Sequence, residues 1–274
     1  MKKYKFENGI LDFRKPIFMG IVNVTPDSFS DGGNNFEPQK AVEHGLLLAS
    51  QGADIIDIGG ESTRPGANPI SIDEEISRTM PVIKALLNKK NNLLISIDTT
   101  KSEVAEAALK AGAVIVNDVS GGCFDEKIFK IAAAFKAGFV IMHMKGDPKS
   151  MQKNPSYKNL IKEISKFLEN QILIAKKYGV KKIFIDPGIG FGKTVEHNFK
   201  IINHLNDFNK LGYPLLIGLS RKSFLGKSLG LEINERDIPT AIMEAVSLAY
   251  GANVIRTHNM ELGSVTKKLI SALN

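Results

Sequence analysis

The residues of this chain best placed for chemistry stand where apolar runs end: Asn23, Asp57, Asp98, Asn117, His143, Asp186, Ser220 and Arg256. A carboxylate at the end of a buried run is costly without a partner. Asp57, Asp98 and Asp186 are three such acids, and a carboxylate there can accept two parallel hydrogen bonds from an amidine-like edge. Asn117 can read a neighbouring donor and acceptor with its amide. Together they describe a pocket for a flat, nitrogen-rich heterocycle, the lesser reading of any one acid alone being a cap or an ion-pair partner.

The cations form a second set. Arg64 lies in "GGESTRPG", Arg221 and Lys222 in "SRKS", and Arg256 with His258 in "RTHN". Arg256 and His258 alternate, so in an extended segment they point the same way, just before a helical stretch whose free N–H groups favour an anion. Each arginine taken singly could be a surface ion pair. Converging from several loops, they point to a phosphate or pyrophosphate. A third feature is the stretch at 23–33, "NVTPDSFSDGG", which is long for a plain connection. Asn23, Thr25, Asp27, Ser28 and Ser30 offer oxygens suited to a phosphate-bound Mg2+, which keeps most of its water shell. Phe29 supplies an apolar face, and Pro26, Gly32 and Gly33 let the stretch bend as a lid that excludes water.

These residues must be positioned by regular elements. Near-continuous apolar runs at 17–24, 54–58, 93–98, 113–117, 139–143, 183–186, 215–219 and 254–257 have the pattern of parallel strands covered on both faces. Between them, helical spacing marks 38–51, 71–89, 101–110, 126–136, 158–178, 196–210 and 238–250, and 260–273 closes the chain. Gly52, Gly112, Gly138, Gly179, Gly212 and Gly251 each precede a strand, where left-handed helix caps are expected. Eight strand–helix units in about 250 residues predict a (β/α)8 TIM barrel. An open doubly wound sheet is the competitor, but its polar positions would gather near one switch point. Here every strand carries one at its C-terminal end.

Composition narrows the rest. The 274 residues are 43% hydrophobic, with no Pro/Ser-rich linker, low-complexity tract or abrupt shift in charge, so residues 1–274 are expected to form a single domain. A charge interrupts every hydrophobic run before membrane-spanning length, which argues against a membrane protein. One cysteine, Cys123, excludes an internal disulfide framework and fits a reducing, cytoplasmic setting; it reads as a small loop or core residue. The net charge of +7 comes from scattered lysine pairs with no aromatic stacking platforms between them, so no nucleic-acid partner is expected. Three near misses are set aside. "DPGIGFGKT" lacks the first glycine of a P-loop and the spacing of a dinucleotide fingerprint, and "GLSRK" lacks the final glycine of a nucleophile elbow. His197 and His204 have no acidic or cysteine partners and read as surface residues.

With these residues in view, the chain resembles the dihydropteroate synthases, the folate-pathway family targeted by sulfonamides. The resemblance rests on "MGIVNVTPDSFSDGG", "DIIDIGGESTRPGA", "ISIDTTKSEVAEAALKAGA", "IVNDVSGG", "MHMKGDP", "IDPGIGFGKTVEHN", "GLSRKSFLG" and "RTH", in that order across nearly the whole chain. It implies a TIM barrel and a transferase. The amine of p-aminobenzoate displaces pyrophosphate from 6-hydroxymethyl-7,8-dihydropterin pyrophosphate to give 7,8-dihydropteroate, the pyrophosphate leaving first. By motif position, Asp98, Asn117, Asp186 and Lys222 would hold the pterin. Asn23, Arg64, Arg256 and His258 would bind pyrophosphate, with Mg2+ at Asn23. Phe29, Thr63, Pro65, Phe191 and Ser223 would form the p-aminobenzoate pocket, and Asp98, Lys222, Arg256 and His258 would carry the catalysis. A homodimer with its contact near the C-terminal helices is implied too. Asn259 departs from the pattern, since the family commonly has aspartate after the histidine. A corrinoid-type pterin methyltransferase and a non-catalytic pterin-binding paralogue are the competing functions. The phosphate-directed cations argue against the first, and the intact loops argue against the second.

Overall fold

The computed structural model describes residues 3–25, 38–62, 68–146 and 151–273. The chain opens with an antiparallel hairpin, β1 (Lys3–Phe6) and β2 (Gly9–Asp12). Eight parallel strands follow: β3 (Ile17–Asn23), β4 (Ile55–Gly59), β5 (Leu94–Asp98), β6 (Ile115–Asp118), β7 (Gly138–Met142), β8 (Lys182–Asp186), β9 (Leu216–Gly218) and β10 (Val254–Thr257). They are hydrogen-bonded in the order β8-β7-β6-β5-β4-β3-β10-β9. The remaining seam is spanned by a parallel bridge between Ile185 and Leu215 and by the Ile185 amide, which donates to Pro214 O at 3.0 Å. The sheet therefore closes on itself as a (β/α)8 barrel.

Helices α1 (Pro38–Ser50), α2 (Ile72–Lys89), α3 (Ser102–Lys110), α4 (Lys127–Ala134), α5 (Leu160–Lys177), α6 (Val195–Asn203), α7 (Leu205–Phe208), α8 (Ser223–Leu229), α9 (Asp237–Ala249) and α10 (Met260–Ala272) fill the crossovers. Alternation along the strands sorts the side chains into two cores. Phe18, Val22, Ile56, Ile58, Ile95, Ile97, Phe139 and Ile255 pack outward with the helices. Met19, Ile55, Leu94, Ile115, Val140, Phe184, Leu216 and Val254 join Tyr4, Phe6, Leu11 and Phe13 of the hairpin region in the second. The hairpin thus plugs the N-terminal end of the barrel. Tyr4, Phe13 and Phe184 meet edge to face with centroids 5.0–5.8 Å apart, and the Tyr4 hydroxyl donates to Ile183 O at 2.8 Å. With one end sealed by rings, polar interior groups face the other.

The strand expectations match the structure to within two residues at each boundary, and several local details differ. The hairpin was not expected, because its four-residue strands are too short to register as apolar runs. The helix expected over 196–210 breaks at His204, where α6 ends and the short α7 begins. The stretch after "SRK" forms α8, also unforeseen. Gly52, Gly112, Gly179, Gly212 and Gly251 do adopt positive φ, but Gly138 does not; it opens β7, and Lys136 (φ 53°) takes the left-handed position. The glycine at 138 has a packing cause instead. A Cβ there would stand 3.0 Å from the Phe184 ring and 3.2 Å from Phe6 and Ile115. Cys123 is an exposed loop residue, and His197 is half-buried within the N-terminal capping box of α6 rather than at the surface; His204 is exposed but does have an acidic partner, Asp207, 3.0 Å from its Nδ1.

One buried acid lies outside this scheme. Glu244 on α9 is 1% exposed and its Oε1 has no hydrogen-bond partner. Burial raises its carboxyl to about 8, the Thr257 hydroxyl offsetting part of this. A folded pKa above the unfolded one contributes stability below the unfolded value, and that stability is lost as pH rises through the folded value. Thermal stability is expected to fall between pH 5 and 8. Glu244→Gln should flatten that slope and gain roughly 1–4 kcal/mol at pH 8. Denaturant melts of both proteins across this range test it; parallel curves would assign the slope to other groups.

Candidate active site

The polar ends of the strands meet at the C-terminal mouth of the barrel, and the centre of the cluster is an arginine. Arg256, next to last in β10, donates from Nε to Asp57 Oδ2 at 2.6 Å and from Nη2 to Asp98 Oδ2 at 2.7 Å. Asp57 is fully buried and Asp98 nearly so. Asp57 lies in the middle of β4, not at its end, level with Ser96 of β5. Asn117 of β6 also donates to Asp57 Oδ2, at 3.0 Å. Asp57 is therefore the shared acceptor under the site, while Asp98, one layer higher, borders the mouth. Gly59 keeps that layer open: a Cβ there would lie 3.7 Å from Asp98 Oδ2 and 3.8 Å from Asn23 Oδ1. Burial raises the Asp98 carboxyl above its usual range, with Arg256 opposing and Asp57 reinforcing the shift.

Asp186 ends β8, and its Oδ1 accepts the Gly188 amide at 2.7 Å. Burial raises its carboxyl too, while Lys222 and the Gly188 amide pull the other way. Lys222 precedes α8; its Nζ donates to Ile189 O and lies 4.6 Å from the centroid of the Phe191 ring. Burial lowers the Lys222 amine to about 8, against the pull of Asp186. His258 stands at the start of the final crossover with Nδ1 2.9 Å from Ser220 Oγ and Nε2 3.5 Å from Asn23 Nδ2. That contact turns the Asn23 amide nitrogen toward His258 and leaves its carbonyl oxygen toward the Gly59 gap. Ser223 is the first, exposed residue of α8.

The mouth thus gathers Asn23, Asp98, Asn117, Asp186, Phe191, Lys222, Arg256 and His258, while Ser223 only follows Lys222 in the chain. Phe29, Thr63, Arg64 and Pro65 lie outside the described residues. Around that gap, Lys101 donates to Glu61 at 2.5 Å, to the buried Glu75 at 2.6 Å and to Ile70 O at 3.0 Å, while Ile70 N donates to Glu61 at 3.1 Å. The residues flanking 63–67 are thereby tied to each other and to α2. Sequence reading missed this clasp, since nothing in the spacing links position 101 to 61 and 75. Asn259 has a local reason. Its Oδ1 accepts the Leu262 amide at 3.1 Å as the cap of α10, and its Nδ2 donates to Asp237 Oδ2 at 3.0 Å, beside the Arg221 fork on the same carboxylate. An aspartate at 259 would set two carboxylates against each other.

A closed barrel with acids, amides and cations collected at its C-terminal mouth defines a (β/α)8 enzyme built for a polar, anion-bearing ligand. The sequence pattern of the family described as "Pterin binding enzyme" matches residues 19–258. The dihydropteroate synthase of Synechocystis sp. is 44% identical over 263 residues, covering 95% of this chain and 91% of that protein. The crystal structure of Yersinia pestis dihydropteroate synthase with a sulfonamide drug complex superposes with a TM-score of 0.94 at 36% identity, covering 99% of each chain. Xanthomonas albilineans dihydropteroate synthase with 4-aminobenzoic acid gives 0.90 at 39% identity, covering 96% of this chain and 95% of that one. The chain belongs to the dihydropteroate synthase family of pterin-binding enzymes.

The Arg256 cluster carries a stability prediction that needs no substrate. Arg256→Met leaves two buried carboxylates without their cation and should cost about 2–5 kcal/mol. Adding Asp57→Asn should recover a substantial part of that loss, because one of the stranded charges is gone. Urea denaturation of the single and double variants reads the coupling; costs that simply add would mean that the pair does not interact.

Proposed function

We propose that the chain condenses 6-hydroxymethyl-7,8-dihydropterin pyrophosphate with p-aminobenzoate, giving 7,8-dihydropteroate and pyrophosphate. The observation that supports this most directly is the convergence of two chemistries on one mouth. Acids and an amide suited to the edge of a flat heterocycle stand beside an arginine and a histidine suited to an anion. Asp186, with Oδ1 occupied by the Gly188 amide, has Oδ2 left for the amino edge of the pterin. Asn117 reads the adjacent position, and the Lys222 ammonium donates to an acceptor on the ring. Arg256 and His258 take the pyrophosphate, and Arg256 does so while still anchored by Asp57.

In this reading the pyrophosphate leaves first. Arg256 and His258 are already fixed by Asp57 and Ser220, so they meet the developing negative charge with little reorganisation; a donor of this kind is typically worth about 3–4 kcal/mol in the transition state. Asp98 faces the cation left on the pterin. The amine of p-aminobenzoate is neutral near pH 7, so no strong general base is required. Phe191 and Ser223 would border its ring and carboxylate, the latter at the N-terminus of α8. Phe29, Thr63, Pro65 and Arg64 belong to the same proposal from their motif positions.

Mg2+ is part of the proposal. Among the described residues no cluster of three or more His, Cys, Asp or Glu could hold a metal by itself. Asn23 Oδ1 beside the Gly59 gap fits one hard-oxygen ligand to an ion otherwise held by phosphate and water. When bound, such an ion neutralises charge on the departing pyrophosphate. A cytoplasmic homodimer completes the reading. Among the described residues no helix is long and apolar enough to cross a membrane. Ile238 and Ile242 on α9 and Val265 and Leu269 on α10 are each more than half exposed, an apolar face suited to a second copy.

The deciding experiment incubates the protein with the pterin pyrophosphate, with and without p-aminobenzoate, and follows pyrophosphate release and dihydropteroate by chromatography. Dihydropteroate formation dependent on both substrates is expected; a folded protein that binds the pterin and forms none would favour a binding paralogue. His258→Ala should weaken binding of the pyrophosphorylated pterin roughly tenfold or more while leaving the bare pterin little changed. Equal losses for both ligands in calorimetry would remove His258 from the anion site.

A further inference from the structure

Lys193 is a buried lysine that the proposed reaction does not use. It is 3% exposed, and its Nζ lies 3.0 Å from His143 Nδ1, 3.2 Å from His143 O and 2.9 Å from Phe191 O. Burial pushes its amine well below the ordinary lysine range, with Asp186 opposing and Lys222 reinforcing the shift. Burial, then Lys193 and Lys145, push His143 down to about 2, so its ring is neutral and Nδ1 can take part as either partner. The amine therefore ties the end of β7 to the turn that follows β8.

That turn, 187–192, is wound through three left-handed glycines, Gly188 (φ 71°), Gly190 (φ 81°) and Gly192 (φ 64°). It lies so close to the β7 loop that a Cβ at 188 would overlap the His143 carbonyl oxygen. Its opposite side covers Lys222. The Ile189 carbonyl accepts from Lys222 Nζ, the Phe191 ring lies 4.6 Å from it, and a Cβ at 190 would stand 2.9 Å from Lys222 Cδ. One face of the turn is thus held by Lys193 and the other holds Lys222. We infer that Lys193 is a positioning residue: it clamps the 187–192 turn onto the barrel mouth so that Ile189 and Phe191 fix and shield the Lys222 amine. The pterin role of Lys222 rests on the proposed function; the clamp itself does not.

The two can be tested apart. Charged groups that face Lys222 are Asp186 from β8 and Arg256 from β10, with Lys193 beyond the turn. Competitive acetylation across pH, read by peptide mass spectrometry, reports the Lys222 midpoint without any substrate. It is expected near 8 in the unaltered protein. In Lys193→Met the uncovered amine should titrate at least about one pH unit higher. Amide exchange over 188–192 should quicken roughly tenfold or more in the same variant. Removal of a residual charge on Lys193 would raise the midpoint too, but would leave exchange unchanged, and that result would overturn the clamp, as would an unmoved midpoint in a folded variant. Should Lys193→Met not fold, Lys193→Gln, which removes the ammonium but keeps a polar side chain, is read by the same two measurements. Pterin affinity measured alongside should fall about tenfold. If midpoint and exchange both move while affinity does not, the clamp stands and the assignment of Lys222 to the pterin fails.

Discussion

The guanidinium of Arg256, held between Asp57 and Asp98, is the constraint around which the mouth of this barrel is organised. Two carboxylates taken out of water on neighbouring strands are untenable unless a cation meets them with good geometry. Arginine suits the task because its planar fork can address two acceptors at once and stays charged when buried. The bonds of 2.6 and 2.7 Å link β10 to β4 across β3 and to β5 beyond it, so these four strands must be curved and in register for the cluster to form. Asp57 Oδ1 and Asp98 Oδ1 nonetheless remain without hydrogen-bond partners. The cluster is only part-satisfied, which favours a role in binding over one in stability alone.

The rest of the architecture protects that polar layer. The hairpin and its three edge-to-face rings close the opposite end, so the interior grades from apolar below to polar above. Around the rim, loops are tied down by side-chain contacts: Lys101 between Glu61, Ile70 O and Glu75, and Arg221 with Asn259 on Asp237. Such ties matter because a site built on loops is only as accurate as the contacts behind them. Here several of those contacts carry charge, and Glu75 is almost fully buried.

The barrel was legible in the sequence because parallel strands buried on both faces leave unbroken apolar runs, and because most crossovers end on a left-handed glycine. Asp98, Asn117, Asp186, Arg256 and His258 were legible for the same reason: polarity at the end of an apolar run is conspicuous. What could not be read is pairing over long separations. Arg256 and Asp57 are 199 residues apart, and nothing in either segment announces that Asp57 lies below the mouth as a counter-ion. Lys193 was hidden differently, since "GFGKT" invites comparison with a phosphate loop and, once that fails, looks like an ordinary exposed lysine. The glycine at 138 was misread because a cap and a tight packing site demand the same residue for unrelated reasons.

The raised carboxyl of Asp98 gives the proposed reaction a further physical feature. With the ligand absent, burial and Asp57 together outweigh the attraction of Arg256, so Asp98 holds a proton more readily than an ordinary carboxylate. In the proposed reaction, a pterin that loses pyrophosphate would acquire positive charge beside Asp98. A nearby cation favours the ionised acid. The attraction between the Asp98 carboxylate and the pterin would then grow as the cation forms. Stabilisation that grows along the reaction coordinate lowers the barrier without tightening the ground state. A permanently charged aspartate in open water could not offer that difference, because solvent would screen it equally at both points. The burial that makes Asp98 expensive in the folded protein is, on this reaction, what makes it selective for the transition state.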